Sequence, residues 1–124
     1  MSAAARTLLA FAAYVLVLGA ALGLAPNLFL SAFGFATTQE PWIRLIGVLV
    51  LCLAFYYQLA ARHELLAFIQ ATVPARLFVV ACMLVLVGLA PLRLLAFGAI
   101  DLAGAVWTGF ALRLQPRPTP PALF

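Results

Sequence analysis

Apolar residues fill this chain in four long runs, and the polar residues collect in short clusters between them. Residues 7–39 carry no charge, and residues 8–25 alone are long enough to cross a hydrocarbon core, which takes roughly 20 residues. Pro26 and Asn27 end that run. A signal peptide is the competing reading of Arg6 followed by an apolar stretch. The run exceeds the usual signal core of about 7–15 residues, so a retained span is expected. The cluster Thr37-Thr38-Gln39-Glu40-Pro41 introduces the second run, with Thr37 or Thr38 placed to cap backbone N–H groups and Pro41 in the first turn. The third run follows Thr72-Val73-Pro74, which reads as a second threonine cap with proline behind it. The fourth begins at Pro91, and four prolines within residues 115–121 forbid a helix beyond it. The predicted spans are residues 7–25, 42–61, 73–90 and 91–112, followed by a Pro-rich tail at 113–124.

Composition turns this pattern into a class. With 124 residues, 68% of them hydrophobic and only 8% charged, no water-soluble domain of this size could bury so large an apolar fraction. The expectation is an all-α membrane protein, a four-helix bundle with a short interfacial segment between helices 1 and 2, with no length left for a separate soluble domain. Two stretches between spans are too apolar for ordinary loops, residues 27–35 and 65–69, and both are expected in the interface.

The charges are seven arginines against three acids, and on such a protein they first report topology; a nucleic-acid partner is not expected. Arg6, Arg62, Arg76, Arg113 and Arg117 fall on one side, and Arg44 and Arg93 on the other. Five against two places both termini in the cytoplasm. The two cysteines, Cys52 and Cys82, are isolated within apolar runs and read as small buried hydrophobes; no CxxC redox pair exists. His63 is the single histidine and has too few carboxylates near it for a metal site. Neither a metal nor a cofactor is expected.

Chemistry therefore rests on a few polar residues inside the runs. Asp101 follows Pro91 by ten positions, about 15 Å along a helix and near the middle of a core of about 30 Å. A carboxylate there costs about 2.5–3.5 kcal/mol to insert and should face the bundle interior. Helical spacing puts it on a face with Gly98, Gly104, Ala105 and Thr108. Arg44 is the expected partner, at the top of a face of the second span that continues through Gly47, Leu51, Ala54 and Gln58, with Tyr14 of the first span at intermediate depth. Gly19 and Gly23 form a GxxxG pair suited either to contacts within the bundle or to a homodimer seam. Gly23-Leu24-Ala25-Pro26 recurs as Gly88-Leu89-Ala90-Pro91, the pattern that two same-handed hairpins would leave; chance repetition in a Leu/Ala/Gly-rich chain is the other reading.

Taken together, Pro26-Asn27-Leu28, Phe33-Gly34-Phe35, Glu40-Pro41-Trp42-Ile43-Arg44, Ala60-Ala61-Arg62-His63 and Asp101 with Gly104-Ala105-Val106-Trp107 resemble small bacterial four-span membrane proteins of unknown function. More distantly, the chain is similar in size and span number to the DoxX-like group, some of whose members are linked to quinone or redox partners. The resemblance supplies no active site. It implies only a shared fold and a shared interior polar cluster. With a single deep acid and no clustered histidines or nucleophile, the expected function is not an enzyme but an accessory or lipophile-binding bundle of the bacterial inner membrane, multi-pass, built around Arg44 and Asp101, with a quinone, a lipid, a membrane protein subunit or a second copy as partner. The alternative expectation is a small proton-coupled transporter using Asp101.

Overall fold

The computed structural model describes residues 1–86 and 94–114. Helix α1 covers Ala3–Leu24, α2 Pro26–Ala32, α3 Trp42–Arg62, α4 Leu66–Leu86 and α5 Leu94–Leu114. Apart from the short α2, each is long and apolar enough to cross a membrane. Twenty-one residues of α-helix measure about 31 Å, which matches the hydrocarbon core. The fold is thus an all-α four-helix membrane bundle. The ends expected for the third span and the start of the fourth, near residues 87–93, lie outside the described residues, as does the Pro-rich tail beyond 114.

Helix α1 is the hub. It packs along α3 over most of its length, meets α5 on another face, and α5 in turn packs on α4. Helices α3 and α4 touch little, chiefly near the turn that joins them, where Tyr57 meets Phe68 at 5.9 Å between ring centroids. The core gathers at that end: Ala4, Ala5, Leu8 and Phe11 of α1, Ala54, Tyr57, Ala60 and Ala61 of α3, Ile69 of α4 and Ala111 of α5 are all buried.

Two turns define the frame. After α2, Gly34 adopts φ 74°, the Gly34 N–H donates to the Ser31 carbonyl and the Phe35 N–H to the Leu30 carbonyl, a Schellman ending with glycine in its usual place. After α3 the same motif recurs with Glu64 in the left-handed position, φ 52°; Glu64 N–H donates to Ala61 and Leu65 N–H to Ala60. A carboxylate residue there forgoes the glycine signal, yet the chain still reverses within three residues.

That reversal moves the third span. Residues 65–69, expected as an interfacial loop, are instead the entry to α4, which begins at Leu66 rather than near residue 73. Thr72 does not cap a helix; it lies within one, and its hydroxyl donates to the Ile69 carbonyl at 2.7 Å. Pro74 sits inside α4, where its missing N–H removes one ladder bond without ending the helix. The expected cap of the second span also differs. Pro41 stands at the N-cap position of α3, and Thr38 serves the preceding loop, with its hydroxyl accepting from Glu40 N–H and its own N–H donating to Asn27 Oδ1. Both cysteines lie on exposed faces of the bundle, not in its core.

Candidate functional site

Starting α4 at Leu66 places Arg76 ten residues along a helix of 21, about 15 Å in. An arginine read from sequence as a topology marker at the membrane edge is a residue of the span itself. It is 2% exposed, the largest fully buried side chain described. Side chains on a helix lean toward its N-terminus, so the guanidinium of Arg76 reaches back toward the well-packed end. There its Cζ lies 3.9 Å from the centroid of the Phe11 ring and 5.8 Å from that of Tyr57, so aromatic faces of α1 and α3 take part of the charge.

The hydrogen bonds beside it run in one direction. Arg76 Nη1 donates to Thr108 Oγ1 at 3.2 Å, Thr108 and Thr7 hydroxyls are 2.8 Å apart, and Thr7 donates to the Ala4 carbonyl at 2.7 Å. Each hydroxyl has one proton. With the Thr7 proton committed to Ala4, Thr108 must donate to Thr7, giving a chain from α4 through α5 to α1. Gly104 makes room for it, because a Cβ at that position would lie 3.0 Å from Phe11 Cδ2 and 3.2 Å from Arg76 Nη1. The opposite edge of the guanidinium, Nε and Nη2, is buried and makes no well-formed hydrogen bond, with the Tyr57 side chain beside it, and the Tyr14 hydroxyl is likewise unpaired. Those two nitrogens are the side-on fork with which arginine binds paired or single acceptor oxygens.

Asp101 occupies the same interior face of α5 as Ala105 and Thr108, one and two turns away, and is half-buried. Its charge interacts with that of Arg76. The only ion pair within 4.0 Å among the described residues is, however, the one between the N-terminal amine and Glu64.

Beside this cluster a groove of about 220 Å³ runs between α1 and α5. Phe11, Tyr14, Thr7 and Gly104 form its inner wall, and Ile100 and Trp107, 41% and 55% exposed, form its rim. The face of Phe11 therefore separates the groove from the cation.

The residues expected to share one polar interior are distributed over three places. Thr108 and Gly104 stand against Arg76, Asp101 shares the interior face of α5 with Thr108, and Tyr14 lies beside Phe11 at 5.5 Å between ring centroids. Arg44 does not join them. It is exposed, and its Nη1 donates to the Gly23 carbonyl at 3.0 Å, in the last turn of α1, so the expected pairing of Arg44 with Asp101 is not made. The reason is position: Arg44 lies in the first turn of α3, where the open carbonyls of the α1 C-terminus are within reach. Gln58 lines a separate groove of about 300 Å³ between α1 and α3, with Leu9, Ala12, Leu16 and Ala54. Gly19, Gly23 and Gly47 meet where α1 crosses α3, since a Cβ on Gly47 would collide with the Gly23 backbone and one on Gly19 would come within 2.8 Å of Leu51 N. Gly98 faces Met83 of α4, whose sulfur would be 3.3 Å from its Cβ.

Sequence reading missed Arg76, Thr7 and Phe11 as site residues. The available signal was the lack of any helix breaker between Glu64 and Pro74, which permits a span starting at residue 66 with arginine at its centre. No family model, curated protein or solved structure matches the chain.

Proposed function

We propose that this protein is a non-enzymatic lipophile-binding bundle of the bacterial inner membrane, and that its ligand is a neutral, hydrogen-bond-accepting molecule such as a quinone, held in the groove between α1 and α5. The observation that carries this reading is the unpartnered, buried Tyr14 hydroxyl in the wall of a groove whose rim faces outward, with the unpaired Arg76 Nε and Nη2 behind Phe11. Buried donors are normally satisfied, and leaving one unmet costs about 1–3 kcal/mol. A carbonyl oxygen supplies an acceptor without adding charge. A ring stacked on Phe11 would lie across the aromatic face from the guanidinium, and a small tilt of Phe11 would open the fork to it.

The arginine count supports an orientation with the N-terminal end of α1 in the cytoplasm. With Arg76 assigned to the span, Arg6, Arg62, Arg113 and, by sequence position, Arg117 stand against Arg44 and Arg93. The direction of the bias is unchanged.

The test is thermal unfolding of the detergent-purified protein with and without a short-tailed benzoquinone. Binding raises the midpoint with the logarithm of ligand concentration over Kd. The wild type should be stabilised, and Arg76→Met and Tyr14→Phe should lose most of the shift while remaining folded. An equal shift in all three proteins rejects the site. A second reading, a proton-coupled transporter, draws on the placement of Asp101 on the interior face beside Arg76. Proton flux in proteoliposomes that disappears in Asp101→Asn would favour it over binding alone.

A further inference from the structure

A second groove, of about 280 Å³, lies between α4 and α5 and shares no residue with the interior site. Val73 and Leu77 of α4 form one wall, and Ala105, Gly109 and Phe110 of α5 the other. Arg113 closes it at one end, in the last turn of α5. From Ala105 to Arg113 the helix rises about 12 Å, most of the roughly 15 Å depth of one leaflet of hydrocarbon. The groove is thus apolar over the depth of an acyl chain and cationic where the headgroup lies.

Gly109 leaves the groove open. A Cβ there would meet nothing nearer than Val73 Cγ1 at 3.7 Å, so the glycine is not required by close helix packing at this point. Arg113 is exposed and forms no hydrogen bond or ion pair with any described residue. No acid lines the groove, and Glu64, the acid at this end of the bundle, is held by Ser2 and the N-terminal amine.

We propose that the α4/α5 groove is a binding site for an anionic phospholipid, with one acyl chain along Gly109 and the phosphate on Arg113. Charge complementarity selects the headgroup, and the guanidinium fork suits phosphate oxygens better than a point charge would. The site is independent of the interior groove, so it stands or falls separately from the proposed quinone function.

The experiment is a titration of the full chain in mild detergent with phosphatidylglycerol and with phosphatidylcholine of the same acyl chains, read by native mass spectrometry. Phosphatidylglycerol should bind about tenfold more tightly, equivalent to one charge-assisted contact of about 1.4 kcal/mol. Arg113→Gln should reduce it to the phosphatidylcholine level. Gly109→Leu should weaken both lipids by filling the chain site, whereas Arg6→Gln, a cation at the same end but outside the groove, should change neither. Equal binding of the two lipids by the wild type, retention of the preference in Arg113→Gln, or unaltered binding in Gly109→Leu would each overturn the proposal. Inorganic phosphate stabilising the protein as well as the lipid does would show a plain anion site and overturn it too.

Discussion

The two seams around α1 hold their helices by opposite means. Where α1 crosses α3, the surfaces are glycine and aliphatic: Gly19, Gly23 and Gly47 let the backbones touch, flanked by buried Leu22 and Ile43. Where α1 and α5 meet α4, the contact is made by a buried guanidinium, two threonine hydroxyls and an aromatic face. The contrast follows from the solvent. In a bilayer apolar helices gain nothing from leaving lipid for each other, so association needs either very close packing or interhelical polar bonds. This bundle uses one at each seam. The first tolerates no added atom on Gly19 or Gly47, and the second tolerates no lost hydrogen-bond partner.

Adding one side chain to the glycine seam should give the largest effect. Gly47→Val places its Cβ inside the Gly23 backbone, with no flexible side chain able to yield, and α1 must move away from α3. A loss of about 3 kcal/mol is expected, at the upper end of overpacking costs. Gly23→Ala is the control, since nothing lies within 4 Å of a Cβ there. Thermal unfolding in detergent should separate the two clearly; similar midpoints would mean that the seam is looser than its geometry.

At the polar seam the effect should be smaller and conditional. Thr108→Val removes the one hydrogen-bond acceptor of Arg76 and breaks the chain to Thr7, at a cost of about 1–3 kcal/mol. In an Arg76→Met background the same change should cost little, because the charge that needed the hydroxyl has gone. Arg76→Met itself should be destabilising, because it leaves the half-buried Asp101 carboxylate without its counter-charge and Thr108 without its donor. A double-mutant cycle measures the coupling, and additive losses would show that the Arg76–Thr108 contact carries no stability.

How much of this was legible in the sequence differs between the seams for a physical reason. The glycine seam depends on spacing within a helix, and spacing survives any error in where the helix begins; Gly19, Gly23 and Gly47 could be singled out without knowing the span limits. The polar seam depends on depth, which is set by the turn before α4. That turn places Glu64 where a glycine would ordinarily announce it, and Thr72-Val73-Pro74 imitates a helix start eight residues later. An arginine placed just past residue 73 looks like an edge residue, and the same arginine ten residues into a helix from Leu66 is an interior cation. Asp101 was identified as interior because Pro91 supplied a reference for its depth. By that reckoning Arg44 is the nearest cation, because the arginine on the facing helix reads from sequence as a residue of the membrane surface.

Arg44 offers a weaker test of the same distinction. Its hydrogen bond to the Gly23 carbonyl completes the C-terminal turn of α1 at an exposed position, and a cation beside such a terminus contributes about 0.3–1 kcal/mol. Arg44→Gln should therefore cost less than 1 kcal/mol. Combined with Asp101→Asn it should give the sum of the single effects, because the two residues share no partner. Coupling above about 0.5 kcal/mol would bring Arg44 back into the interior cluster.

The smallest effect belongs to the turn that set the frame. The hydroxyl and backbone N–H of Ser2 hydrogen-bond to the Glu64 carboxylate and hold its pKa below the ordinary glutamate range, with the N-terminal amine adding a weaker pull. The folded pKa is the lower one, so this contribution is complete above the ordinary glutamate pKa and is lost as pH falls through the depressed value. Glu64 is largely exposed, and solvent screening keeps the contribution small. A spin label near residue 2 should be ordered at neutral pH and gain mobility only in acid below the ordinary glutamate range. Glu64→Gln should show the mobile spectrum throughout. If the label instead moves freely at neutral pH, the start of α1 is not fastened to the α3–α4 turn. The entry of α4 at Leu66 would then rest on its helical hydrogen bonds and on the burial of Ile69 alone.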